Sequence, residues 1–282
     1  MTISVEINGW VELLGRLRRW LQDRSDPACA QARRLIETFE AYGIARQQIP
    51  RVLPPEHKLP NSAFSTADKL KDHMTPELLD WAAEYLAINR SWLDMVADKP
   101  HTPINHYKAP ARYRDWLVQR KEAAPNGHRW VSVWRPEGEE IPTGAGPLCL
   151  IYEECSEGLD DSEFSRYWLL SDGWIIEHGA CVENLLAFVA VVRSLDIQIV
   201  GAGLPLAQLE RLEAGKSLIP EVYRHRRGKW YPEDLVEPLP NQDTEWRQAL
   251  WGGAQEYLAE GGLQTAGNKL RPPVNTLADP AQ

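Results

Sequence analysis

"MTPELLDWAAEYLAINRSWLDM", from Met74 to Met95, reads as two short helices with their punctuation in place. Thr75 supplies a hydroxyl for an orphan N–H, Pro76 fits the first turn, and Glu77 suits the positive end of the helix dipole. Leu78, Leu79, Ala82, Ala83 and Leu86 recur at spacings of three and four, so one face is apolar. "AIN" interrupts the stripe. A second helix is expected from Asn89, with Trp92, Leu93 and Val96 facing inward and the Trp-Leu pair packed on Leu79, Ala82 and Ala83.

Upstream, "GWVELLGRLRRWLQDR" places Trp10, Leu13, Leu14, Leu17 and Leu21 on one stripe, predicting an amphipathic helix within residues 1–26. Asp26 and Pro27 then form a second start signal, and a helix from Pro27 to about Tyr42 turns Ala32, Leu35, Ile36 and Phe39 inward before Gly43 ends it. Pro50, Pro54, Pro55 and Pro60 forbid a long helix in "IARQQIPRVLPPEHKLPNSAFSTADKLKDH", leaving short turns near 45–53 and 62–72.

Taken together, 27–97 is similar in element order and size to the lambda-repressor-like helix-turn-helix domain of the Cro/XRE family. The likeness is strongest in "TPELLDWAAEYLAINRSWLDM", which resembles that family's last two helices; Pro50 departs from it, falling inside the expected second helix. In that family the third helix enters the major groove. The resemblance implies Lys58, Asn61, Ser62, Ser65, Thr66, Lys69 and Lys71 as groove-facing residues and Arg46, Gln47 and Arg51 as phosphate partners. Asn and Gln pair with adenine, while Lys donates to guanine or phosphate. A plain helical bundle with a solvated polar face accounts for the same residues.

Segment 98–128 carries the Pro-punctuated linker "DKPHTPINHYKAP" and a connecting helix, "ARYRDWLVQRKEAA". From 129 to 269 the periodicity changes. "RWVSVW", "PLCLIYEE" and "RYWLLSDGWIIEH" predict antiparallel strands, "CVENLLAFVAVVRSL" a buried helix, and "IQIVGA" a further strand. The expected fold is therefore α+β: an all-α first domain, then a domain with a mainly antiparallel sheet. Residues 270–282 are expected to be a disordered tail.

The net charge of −9 excludes a protein coated all over for nucleic acid. Residues 1–121 hold 18 Lys/Arg against 15 Asp/Glu, and residues 122–282 hold 13 against 25, so the two parts suit different partners. The longest apolar run, "LLAFVAVV", is far too short to span a bilayer, and the amino terminus lacks the basic and apolar regions of a secretory signal. A cytoplasmic chain with reduced thiols is expected.

Cys149, Cys155, His178 and Cys181 lack the paired spacing of a zinc site, so no metal is assigned and buried thiols are expected. "EECSEGLDDSE" reads as a solvated loop, "RHRRGKW" as a basic surface turn, and "LPLAQLERLEAGKSLIP" as a helix capped by Gly215. No catalytic motif or cofactor fingerprint occurs. The expectation is a DNA-binding transcriptional regulator, not an enzyme, that acts as a homodimer on double-stranded DNA. Its second domain would take a small-molecule or protein partner, with no membrane involved. The alternative is an accessory factor whose bundle binds protein.

Overall fold

The computed structural model describes residues 26–125, 127–159, 163–237 and 245–263, together with the short strands 265–266 and 269–270. The expected helix within 1–26 and the expected tail from 270 therefore lie outside the described residues, except for Asp26 and Leu270. The chain divides into two units, Met1–Pro100 with Glu157–Phe164, and His101–Ser156 with Ser165–Gln282.

The first unit is helical. Helix α1 (Pro27–Ala41) starts where expected, with the Asp26 carboxylate accepting from the Cys29 N–H at 3.0 Å and Pro27 in the first turn. Ala32, Leu35, Ile36 and Phe39 are buried on one side, each large apolar side chain stabilising the fold by roughly 1.5–3 kcal/mol. Between α1 and the next long helix, α2 (Ile49–Val52) and α3 (Ala67–Leu70) alternate with 3-10 turns at Pro55–His57, Asn61–Ser65 and Lys71–His73. Proline sets this rhythm. Pro50 and Pro55 each sit in the first turn of an element, where a missing N–H is harmless, and the residues before Pro54, Pro55 and Pro60 cannot continue a helix.

Helix α4 (Pro76–Leu86) carries the predicted cap, the Thr75 hydroxyl accepting from the Leu78 N–H at 3.2 Å. Leu78, Leu79, Ala82, Ala83 and Leu86 are all buried. Trp81 and Tyr85, one turn apart, stack at 4.9 Å, and Phe164 extends the run at 4.7 Å from Tyr85. Ala87 closes the helix in the left-handed region, φ 53°. Asn89 caps α5 (Arg90–Leu93) through the Ser91 N–H at 3.0 Å. Leu93 is buried as expected, whereas Trp92 is half-buried with the Arg34 guanidinium 4.6 Å above its ring. Val96 is 80% exposed, contrary to the inward face expected of it. Met95, at φ 65°, reverses the chain first, so the helical spacing stops short of Val96.

The second unit begins with α6 (Pro110–Ala123), expected from the sequence to be only a connector. Instead, Tyr113 and Leu117 are fully buried in that unit's core, and the Tyr113 hydroxyl donates to the Leu170 carbonyl at 2.5 Å. Strands β1 (His128–Pro136), β2 (Cys149–Glu157), β3 (Glu163–Leu169), β4 (Gln198–Leu204) and β5 (Arg227–Trp230) form one mostly antiparallel sheet in the order β3-β2-β1-β4-β5. β4 runs parallel to β1, an exception to the mainly antiparallel pairing. The connection between β3 and β4 is α7 (Gly179–Ser194), a helix buried nearly all round.

Val131, Val133, Leu150 and Tyr152 face α6 and α7, joined there by α10 (Glu245–Glu260). The alternate residues of β1, Ser132 and Trp134, are buried on the opposite face, near α8 (Leu206–Glu213) and α9 (Ile219–Tyr223). The segment "RHRRGKW", expected to be a surface turn, instead supplies edge strand β5, whose Trp230 lies flat on Gly201; a Cβ there would be 2.2 Å from the ring. Gly215 follows α8 at φ 70°, as its capping role requires. A two-stranded ribbon, β6 (Thr265–Ala266) and β7 (Lys269–Leu270), ends the described chain. Among the described residues no helix is long and apolar enough to cross a membrane.

The two ends of α4 give opposed expectations. Thr75→Ala removes the cap and should lower stability by about 1 kcal/mol. Ala87→Gly relieves the left-handed Ala and should raise it by up to about 1 kcal/mol. Urea unfolding of the two variants measures both signs, and a destabilised Ala87→Gly would contradict a left-handed backbone at that position.

Candidate nucleic-acid interface

Gly43, at φ 84°, turns the chain back at the end of α1. The reversal brings Ala45, Arg46 and Gln47 beside Glu40, and the 3-10 turn at Asn61–Ser65 completes an open groove of about 710 Å³. Four of the ten residues implied by the family resemblance line it together: Arg46, Gln47, Asn61 and Ser65. Phe64, buried beneath the turn, anchors it to the helical core. Gln47, Asn61 and Ser65 are exposed and bear amide and hydroxyl groups able to donate and accept.

Arg46 is not a free cation. Its Nε and Nη2 meet the two Glu40 oxygens at 3.1 and 3.2 Å, a bidentate pair in which both side chains remain more than a third exposed. Such a pair is worth at most about 1 kcal/mol and yields readily to a competing anion. Sequence reasoning missed Glu40, although the Gly43 reversal was the signal that residues 40 and 46 would meet.

The remaining candidates separate into two groups. Lys58 and Lys69 are exposed and form no ion pair among the described residues; Arg51 and Ser62 are exposed as well. Thr66 and Lys71 serve the fold. The Thr66 hydroxyl caps α3 by accepting from the Lys69 N–H at 3.2 Å. The Lys71 ammonium lies 2.8 Å from Asp26 and 2.7 Å from Asp68, joining the start of α1 to α3. These two carboxylates and Cys29 approach one another closely enough for a metal ion. Lys71 is already their cation, so the cluster needs no metal.

The local geometry also departs from a single reading helix. Residues 61–73 form a 3-10 turn, a four-residue helix and another 3-10 turn, so polar side chains are presented from a succession of short turns. Charge is segregated along the unit. Residues 43–73 hold five Lys/Arg against three Asp/Glu, whereas 74–100 hold two against five. Within 43–100 the net positive charge thus falls in the stretch that contains the groove.

No protein-family model matches the chain, and comparison with curated proteins and with solved structures likewise returns no match.

The Lys71 hydrogen bond, followed by the Cys29 N–H, holds the Asp26 carboxyl below its ordinary 3.8, and Asp26 and Asp68 in turn hold the Lys71 ammonium above its ordinary value. A lowered carboxyl stabilises the fold above the unfolded pKa and loses that contribution as pH falls through the folded one. Lys71→Met should therefore lower Tm at neutral pH, with a difference from wild type that shrinks once the pH drops below 3.8. Thermal scans across that range check this; a constant difference would remove the ion triad from the account.

Proposed function

We propose that the first unit binds double-stranded DNA through the 43–73 segment, and that the protein is a transcriptional regulator whose second unit responds to a ligand or partner. The observation that carries this reading is the groove, in which Arg46, Gln47, Asn61 and Ser65 converge; Lys58 and Lys69 of the same 43–73 segment are exposed. Backbone phosphates position such a surface and base edges are read by amides and hydroxyls. In this account Arg46 leaves Glu40 for a phosphate, Lys58 and Lys69 hold neighbouring phosphates, and Asn61 and Ser65 reach bases. Lys71 and Thr66 stay with the fold. The amphipathic stripe of Trp10, Leu13, Leu14, Leu17 and Leu21 is assigned to a two-fold homodimer that places two such surfaces on one duplex. The protein acts in the cytoplasm.

The test is fluorescence anisotropy on duplex DNA over a range of salt. Lys58→Ala with Lys69→Ala should weaken binding at every sequence and lower the salt slope by roughly 0.9 for each phosphate no longer neutralised. Glu40→Gln frees Arg46, so it should tighten binding and steepen the slope by about the same amount. Asn61→Ala should change the preference among sequences by about 1–3 kcal/mol. If the lysine pair and Glu40→Gln both leave binding unaltered, the groove is not the interface.

A second reading, in which the bundle binds a protein, is favoured by the internal pairing of Arg46 and Lys71. Binding of duplex DNA that ignores salt, or no binding at all, would select it.

A further inference from the structure

Edge strand β5 concentrates positive charge in an acidic part of the chain. Between Val222 and Pro232 the sequence holds Arg224, Arg226, Arg227 and Lys229 and no Asp or Glu. These are four of the 13 Lys/Arg of residues 122–282, which carry 25 Asp/Glu. Like charges crowded into so few residues repel one another and favour an anion from outside.

The fold neutralises this strip only in part. Arg226 turns back over the Tyr223 ring at 3.2 Å, its Nε donating to the Tyr223 carbonyl at 3.2 Å. Arg227 meets Glu137 at 3.4 Å, with side chains 65% and 49% exposed, so a competing anion replaces that partner readily. Lys229 is exposed, and its ammonium has no partner among the described residues.

Beside these cations stands an open ring. Tyr231 is 55% exposed and makes no ring or cation contact among the described residues. Its backbone is extended, at φ −115° and ψ 101°, so Tyr231 continues the line of the strand. Lys229 and Tyr231 therefore point to one side, about 6.6 Å apart, while Trp230 between them turns onto Gly201.

The edge is closed to strand addition. β5 is four residues long, its register with β4 shifts between Gly201 and Gly203, and Gly228 lies at φ 59°. Short, irregular and charged edges do not accept another strand, so a partner is held by side chains. An acidic peptide would use the cations and leave the ring idle. A duplex keeps its bases stacked on one another. A single strand uses both features, its phosphates on the cations and an unstacked base on the ring.

We propose that this edge binds single-stranded nucleic acid, with Arg227 and Lys229 on neighbouring phosphates and a base stacked on Tyr231. The acidic surroundings confine the contact to a few nucleotides. The site goes beyond the duplex reading above and does not rest on it.

The probe is fluorescein-labelled oligothymidylate of about 12 nucleotides, titrated with the full chain by anisotropy over a range of salt. Oligouridylate of equal length tells which sugar the site prefers, and binding of either supports the site. Arg227→Ala with Lys229→Ala should weaken binding at least about tenfold and lower the salt slope by about 0.7 for each phosphate released. Tyr231→Ala should weaken it by about fivefold to a hundredfold at an unchanged slope, whereas Tyr231→Phe keeps the aromatic face and the affinity. All three side chains are exposed, so each variant should keep the wild-type Tm. Lys58→Ala with Lys69→Ala, in the first unit, should leave this binding unaltered, which separates its failure from a failure of duplex binding. The proposal is overturned if neither oligonucleotide binds, if either the Arg227–Lys229 variant or Tyr231→Ala binds as wild type does, or if the Lys58–Lys69 variant loses the single strand. Polyglutamate binding as tightly as oligothymidylate would also overturn it, in favour of an acidic protein partner.

Discussion

Val131 and Val133 of β1 run beside Ile199 and Gly201 of β4 in the same direction, and a parallel pair can be joined only by a long crossover. That requirement makes α7 necessary. The helix must also cover the sheet, which is why Val182, Leu185, Leu186, Val189 and Val192 are all buried. Once α7 lies there, α6 and α10 find an apolar surface to pack on, and both join the same core. The side chains of Ser132, Trp134 and Glu153 are then set on the opposite face by strand alternation alone.

The first unit solves a different problem. Its helices are short, so their order depends on how each one starts and stops. Asp26, Thr66, Thr75 and Asn89 each satisfy an N–H that would otherwise be open. Gly43, Ala87 and Met95 turn the chain by positive φ. The groove exists because one of those turns follows Glu40 so closely.

Much of this is legible in local residue patterns. Thr75-Pro76-Glu77 and Asp26-Pro27 announce helix starts through chemistry confined to a few residues, and both are found in place. The strands of the second unit declare themselves by alternation and β-branching. Strand direction does not, because alternation is the same for parallel and antiparallel neighbours, so nothing in "IQIVGA" marks β4 as parallel to β1. Glu153 is in phase with Cys149 and Ile151, so its burial is written in "PLCLIYEE", masked by the acidic run that follows. The roles of Arg46 and Lys71 are only partly legible: the Gly43 reversal hints at Glu40 for Arg46 and the three-residue spacing at Asp68 for Lys71, but spacing carries no information about Asp26, 45 residues from Lys71.

The flat packing of Trp230 on Gly201 has a consequence for how this chain can vary. With no room for even one carbon on β4, any side chain at 201 must expel the indole. The Arg135 guanidinium, 4.5 Å above that ring, would lose its platform at the same time. A smaller residue at 230 would leave a gap that glycine cannot fill. Neither position is free to drift alone, so the two form a compensated pair: a descendant sequence that replaces one must inherit a matching change in the other.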